Sequence, residues 1–347
     1  MHTSFPALLR LGWDESFAAA FDATAPPGTE PARVVRVASR SVTIITGGGQ
    51  VEAVLARRLR TSPPPGGVTT GDWVAAVNRT VHDVLPRRSA LLRRAAGGAA
   101  VAQAVAANVD FILIAVPLGL AVGARRLERS LAMAWASGAQ PVVLLTKSDM
   151  STDLAGDLEA AGAVAGDASV IAVSAQGFGL GALRELLSAS RTGAIVGPSG
   201  AGKSTLINAL CGGPRLATAA VRADGRGRHT TSHRELVELP SGGLLIDTPG
   251  MREMGVWDAQ AGIDAVFSDV GELAARCRFS DCSHDAEPGC AVREAARTDP
   301  AILDRLTSLR KLEGEQRFQD MQVDLRLQAE ARRQHRRMAR ASRSGRG

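Results

Sequence analysis

Gly197-Pro198-Ser199-Gly200-Ala201-Gly202-Lys203-Ser204-Thr205 follows the short apolar run Ala194-Ile195-Val196 and opens a segment, 206–211, of helical character. Strand, G-x-x-x-x-G-K-[ST] loop and helix, in that order, make a phosphate-binding P-loop. Its glycines let successive backbone N–H groups turn inward as an anion-binding nest. The helix N-terminus adds a partial positive charge. In such a loop Lys203 reaches the β- and γ-phosphates, which makes it a candidate catalytic group, and the Ser204 hydroxyl ligates Mg²⁺. The loop does not say which nucleotide it holds.

That must come from motifs elsewhere in the chain. Upstream, Thr146-Lys147-Ser148-Asp149 closes the apolar run 141–145, at the strand end where α/β sheets bind ligands. The Asp149 carboxylate there can accept hydrogen bonds from N1 and N2 of guanine, and the Lys147 stem can lie against the purine face. The pattern is N-K-x-D with Thr146 in place of Asn. Ser174-Ala175 follows the next apolar run, 170–173, and can present backbone N–H groups to the guanine O6. Downstream of the P-loop, Asp247-Thr248-Pro249-Gly250 stands at another strand end. Asp247 is a candidate to hold Mg²⁺ through water, and the Gly250 amide to sense the γ-phosphate. Between them, Thr230 or Thr231 supplies the Mg²⁺-sensing threonine of a switch loop. Base-reading motifs thus precede phosphate motifs, which describes a GTPase domain that is circularly permuted.

Lysine occurs only at 147, 203 and 311, all other basic residues being arginine. A compact ammonium suits a phosphate cradle where a planar guanidinium does not. The net charge of +6 and pI near 9.8 suit a polyanionic partner. The start of the chain lacks the profile of a signal peptide, and Gln103, Asn108, Asp110 and Pro117 interrupt the apolar stretch 95–124. A cytoplasmic protein with no membrane span is expected, as a monomer.

Residues 33–37, 41–45, 51–55 and 72–77 are short β runs divided by Gly- and Pro-rich turns, fitting a small closed barrel of the OB or SH3 type. Arg57, Arg58 and Arg60 give it a basic patch that suits RNA, although 3% aromatic content leaves few groups for base stacking. The stretch 86–98 reads as a linker. Beyond it strand candidates at 111–116, 141–145, 170–173, 192–196 and 244–246 alternate with helix candidates at 125–137, 154–161, 180–188 and 203–211, implying a mostly parallel sheet covered on both faces. Near the C-terminus, Cys277-x₄-Cys282-x-His284-x₅-Cys290 offers three thiolates and an imidazole, enough to close one structural tetrahedral Zn²⁺ shell. Cys211 reads as an ordinary buried thiol. From 326 onward eight arginines face a single acid, Glu330, a basic tail suited to rRNA phosphates.

Together these features resemble the circularly permuted, ribosome-small-subunit-dependent GTPases of the RsgA (YjeQ) type. The resemblance covers roughly residue 33 to the C-terminal helix. It rests on the motif order, Gly227-Arg228-His229-Thr230-Thr231, Asp247-Thr248-Pro249-Gly250 and the Cys₃His signature. It implies a multidomain α/β protein: an extension at 1–30, an OB-type barrel at 31–88, a circularly permuted P-loop GTPase domain at 89–257, a helical zinc-binding domain at 258–325 and a basic tail at 326–347. It also implies hydrolysis of GTP to GDP and phosphate on the 30S ribosomal subunit, contacting 16S rRNA during late assembly. Met251 stands where many GTPases carry a water-orienting Gln. His229 is the nearest titratable group, and the resemblance gives it that role; packing or RNA contact in its basic loop is the alternative. An RNA-binding scaffold with nucleotide as a structural ligand is a second functional class. A P-loop ATPase or kinase is a third, and Asp149 argues against it.

Overall fold

The run Phe-Ile-Leu-Ile-Ala from residue 111 alternates its side chains between two apolar clusters: Phe111, Leu113 and Ala115 face one, Ile112 and Ile114 the other. A strand buried on both faces belongs to the middle of a parallel sheet with helices on each side. A computed structural model bears this out. It describes residues 5–344 apart from 62, 64, 95–100, 119–122, 189, 215–233 and 249–256, with side chains described to 325.

Two short helices come first, α1 (Pro6–Leu9) and α2 (Glu15–Thr24). The barrel follows as β1 (Glu30–Val37), β2 (Val42–Thr46), β3 (Gly49–Leu55), α3 (Arg57–Thr61), β4 (Trp73–Val77) and β5 (Thr80–Val84). Its strand order is β1-β2-β3-β5-β4, with β4 returning to pair with β1 and with β3 and β5 parallel. This closed Greek-key path with a helix between β3 and β4 makes it an OB barrel rather than an SH3-like one. Val34, Ile44, Val74 and Val81 fill its interior.

The stretch expected to be a linker is instead a hairpin, β6 (Ala90–Arg94) with β7 (Ala102–Ala107). Its entry is fixed by Arg87, whose guanidinium reaches both oxygens of the fully buried Asp72 at 2.7 and 2.9 Å and two barrel carbonyls besides. Pro86 and the arginines around it gave no sign of that anchoring.

The nucleotide domain comprises β8 (Phe111–Pro117), α4 (Ala124–Ala136), β9 (Gln140–Thr146), α5 (Leu154–Ala165), β10 (Ser169–Val173), α6 (Leu180–Leu186), β11 (Thr192–Val196), α7 (Lys203–Leu210), β12 (Glu235–Glu238) and β13 (Leu244–Asp247). The order β10-β9-β8-β11-β13-β12 is parallel except for β12. Leu127 and Leu131 of α4 and Ala161 and Ala165 of α5 cover one face. Leu180 and Leu183 of α6 and Leu206, Ile207 and Leu210 of α7 cover the other. At its edge β12 pairs antiparallel with β1, Arg36 opposite Glu235, so barrel and nucleotide domain share one eleven-stranded sheet.

The N-terminal helices are tied into this body. Trp13 meets Trp73 edge-on at 4.8 Å, and Leu8, Leu11 and Phe17 join the same cluster as Ile112. The chain turns between α1 and α2 at Gly12, whose φ is +84° and where a Cβ would lie 3.0 Å from Arg33 Nη1. Arg33 is itself buried, donating to the Leu11 and Asn108 carbonyls and to the Thr192 hydroxyl. Burial pushes its pKa down to about 10, which leaves it charged at neutral pH.

The chain ends in α8 (Gln260–Val266), α9 (Ser268–Ala274), α10 (Ala291–Thr298) and the long α11 (Ala301–Ser344). Ile263, Phe267, Val292, Leu306 and Leu312 form their core, which includes Ala132 of α4. Among the described residues no helix is long and apolar enough to cross a membrane.

Candidate functional site

The loop after β11 turns because Gly197, Gly200 and Gly202 adopt φ of +144°, +80° and +80°. Gly197 also passes against β8, where a Cβ would stand 2.6 Å from the Ala115 carbonyl oxygen. A side chain is excluded there by contact as well as by conformation. Gly202 forms the N-cap of α7, and Lys203 and Ser204 make its first turn. The Lys203 ammonium curls over the loop, donating to the carbonyls of Gly197 at 2.9 Å and Pro198 at 2.8 Å.

Asp247, at the end of β13, faces this cradle. Burial raises its pKa above the usual carboxylate range, against the opposing pull of Lys203 and the Thr248 N–H. Burial likewise lowers the Lys203 pKa, and Asp247 opposes that shift. The Asp247 Oδ2 is buried without a hydrogen-bond partner. A buried, unpaired carboxylate oxygen facing the P-loop is a hard oxygen donor of the kind that suits Mg²⁺. Thr248 is wholly buried, its hydroxyl donating to the Ile195 carbonyl at 2.5 Å, which ties β13 to β11 just before the loop.

The upstream motifs converge on the same sheet edge. Thr146, Lys147, Asp149, Ser174, Ala175, Gly202 and Thr205 line one cavity of about 220 Å³. Lys147 takes up the left-handed conformation, φ +58°, which swings the chain from β9 into a short 3₁₀ turn carrying Asp149. Ser148 is buried beneath that turn. Asp149 accepts from the Ser174 hydroxyl on Oδ1 and from Gln176 Nε2, at 3.2 Å, on Oδ2. Thr146, 3% exposed, donates its hydroxyl to the Ala201 carbonyl at 2.8 Å, joining base-side strand to P-loop directly. Gln176 was not singled out in the sequence. Its position two residues after Ser174, in a turn that folds back on Asp149, was the only signal available.

His229, Thr230, Thr231 and Gly250 lie outside the described residues, as do Met251 and the arginines of the same loop.

The Cys₃His residues come together as expected. One ligand atom from each of Cys277, Cys282, His284 and Cys290 lies within 4.8 Å of the others. His284 Nδ1 is 3.5 Å from the Cys277 sulfur and 3.4 Å from that of Cys290, and those sulfurs are 4.0 Å apart. Metal–sulfur bonds of about 2.3 Å in a tetrahedron place sulfurs about 3.8 Å apart, so the group fits a four-coordinate metal ion. The loop is shaped by Glu287, whose carboxylate accepts from the backbone N–H of Ser283 at 2.8 Å and of Asp285 at 2.9 Å. Cys211 stands apart, half-buried beside α7.

A parallel sheet whose base-side strands precede its P-loop, with a closed barrel before it and a Cys₃His group after it, defines a circularly permuted P-loop GTPase. The chain belongs to the RsgA GTPase family, whose profile matches residues 84–257. It is thus a hydrolase acting on GTP. The chain is 44% identical to the small ribosomal subunit biogenesis GTPase RsgA of Streptomyces coelicolor, over 97% of this chain and 94% of that one. It is 40% identical to the protein of the same description from Methanosarcina acetivorans, over 94% and 90%. Among solved structures, YjeQ from Thermotoga maritima superposes with a TM-score of 0.61 at 23% identity, covering 82% of this chain and 99% of that one. YloQ, a circularly permuted GTPase, gives 0.58 at 19% identity, covering 84% and 97%.

Proposed function

We propose that this chain binds the small (30S) ribosomal subunit during its late assembly and hydrolyses GTP there, with turnover stimulated by the subunit. The observation that carries the reading is the joined site: a base pocket holding Asp149 is bonded through Thr146 to the loop that would hold the phosphates. Residues Gly197 to Thr205 bind the phosphates and Thr146 to Asp149, with Ser174 and Ala175, enclose the guanine. Ser204, Asp247 and either Thr230 or Thr231 hold Mg²⁺, which supplies charge neutralisation at the phosphates. The Gly250 amide senses the γ-phosphate. His229 positions the attacking water or takes its proton once 16S rRNA engages its loop. Cys277, Cys282, His284 and Cys290 hold one structural zinc, the ion that best suits three thiolates and an imidazole in a closed shell. The protein acts as a cytoplasmic monomer, with domain limits near 31–88, 89–257 and 258–325, a leading segment at 1–30 and a basic tail at 326–347.

GTP turnover measured alone and with added 30S, 50S or 70S particles tests the reading. Stimulation is expected with 30S. His229→Ala is expected to abolish it while leaving GTP affinity intact; a variant that is still stimulated removes His229 from the mechanism. No stimulation of the unaltered chain, with stable GTP binding, favours a scaffold that keeps nucleotide as a structural ligand. Elemental analysis is expected to find one zinc per chain, and a different metal or none would overturn that assignment.

A further inference from the structure

The hydrogen bonds within the base pocket limit how a purine can be read. Thr146 has a single hydroxyl proton, and it is committed to the Ala201 carbonyl at 2.8 Å in a buried position. What remains on that oxygen is lone pairs. The purine N7 is also an acceptor, so Thr146 has nothing to give it. Ser174 has likewise turned its hydroxyl donor to Asp149, and Gln176 gives it one of its two amide protons. Thr205 belongs to the first turn of α7, on the phosphate side.

An ionised carboxylate has about four acceptor sites. Ser174 takes one on Oδ1 and Gln176 one on Oδ2, which leaves one on each oxygen. Guanine presents two adjacent donors, N1–H and the 2-amino group, and adenine has no such pair. The carboxylate is thus held with two free sites matched to two donors.

We propose that in this chain Gln176 is a positioning residue that holds the Asp149 carboxylate for the N1/N2 edge of guanine, and that Thr146 is withdrawn from the base, giving N7 no donor, to brace the P-loop. The inference rests on the guanine-nucleotide reading of the pocket. It accounts for a threonine at the position where N-K-x-D has an amide: the position keeps its link to the P-loop and gives up contact with the base.

Equilibrium binding of GTP, 7-deaza-GTP, inosine triphosphate and ATP to the full chain tests it. GTP and 7-deaza-GTP, which differ only at N7, are expected to bind within about twofold of each other. Inosine triphosphate, lacking the 2-amino donor, is expected to bind about tenfold more weakly than GTP, the cost of one hydrogen bond to a charged group. Gln176→Ala is expected to narrow that GTP preference several-fold, weakening GTP more than inosine triphosphate and leaving ATP unchanged, whereas a merely structural loss would weaken all nucleotides alike. Gln176→Asn, which keeps an amide on a shorter stem, is expected to restore part of the preference. Weak binding of 7-deaza-GTP, or a GTP-to-inosine preference unmoved in Gln176→Ala, overturns the inference while leaving the guanine site standing. Equal affinity for GTP and ATP in the unaltered chain overturns the guanine reading itself, and this inference with it.

Discussion

Asp247 combines two properties that a structural carboxylate seldom has together: one oxygen is buried without a partner, and burial holds its pKa high although Lys203 pulls the other way. Both follow from its place at the end of β13 facing a loop rich in N–H donors, where a cation would satisfy the orphan oxygen. Asp247→Asn keeps the shape and removes the charge. The expected result is a GTP affinity about tenfold or more lower in the presence of Mg²⁺, with little change when Mg²⁺ is chelated. Equal losses in both conditions would make Asp247 a structural residue. Gly197 was legible from the motif alone, because the contact with Ala115 leaves no room for a side chain. Gln176 was not, because its role depends on a turn that brings it back to Asp149, and no pattern of residue types marks that.

Among elements, α11 is the one whose attachment has most to do. Its Arg305 is bonded to both Asp269 oxygens at 2.7 and 2.8 Å and to the Val266 carbonyl, and lies 3.4 Å from the buried Glu128 of α4. One guanidinium thus binds α11 to α9 and to the nucleotide domain. Nearby, Gly262 of α8 lies so close to α4 that a Cβ would stand 1.8 Å from the Ala132 carbonyl oxygen. Arg305→Met is expected to lower the thermal midpoint at pH 7 by leaving Glu128 buried and unpaired, a loss of order 3 kcal/mol. Burial would raise the Asp269 pKa, but the bonds from Arg305 outweigh it and hold it low. The stability that this bridge adds is therefore present above the ordinary aspartate pKa of about 3.9 and lost as pH falls through the lower folded value. Thermal midpoints of the two proteins, compared from pH 7 down to about 3, should converge at the acid end; a constant gap would assign the effect to packing instead.

The same scale shows which elements sequence alone could give. The strands β8, β9, β10, β11 and β13 were legible because burial on both faces writes an unbroken apolar run. The four-residue β12 was not, because half of it is glutamate, and neither was the β6–β7 hairpin, because arginines and glycines mask a strand whose anchors lie in the barrel. The OB connectivity, as against SH3, depended on β4 closing onto β1, a pairing between distant segments that local pattern does not carry.

At the scale of the whole molecule, the positive charge is concentrated late in the sequence: the backbone of α11 continues as helix to Ser344, through seven of the eight arginines of the basic tail. If these meet rRNA phosphates, removing residues 326–347 should weaken 30S binding and flatten its salt dependence, each lost phosphate contact taking about one unit from the slope of log K against log salt. Binding that keeps both its affinity and its slope after truncation would place the contact elsewhere.

The ladder between β1 and β12 bears on how this protein can be taken apart. Chains of several domains are usually joined by tethers that can be cut to free working pieces. Here the border is a strand pairing inside one sheet, Arg36 opposite Glu235, so a fragment starting after the barrel would bare the β12 edge to solvent and to its own neighbours, a template for aggregation. On its other side that strand abuts the P-loop sheet through β13, with Glu235 opposite Asp247. A force applied to the barrel is therefore passed to β12 and through it to β13, the strand that carries Asp247 to the P-loop.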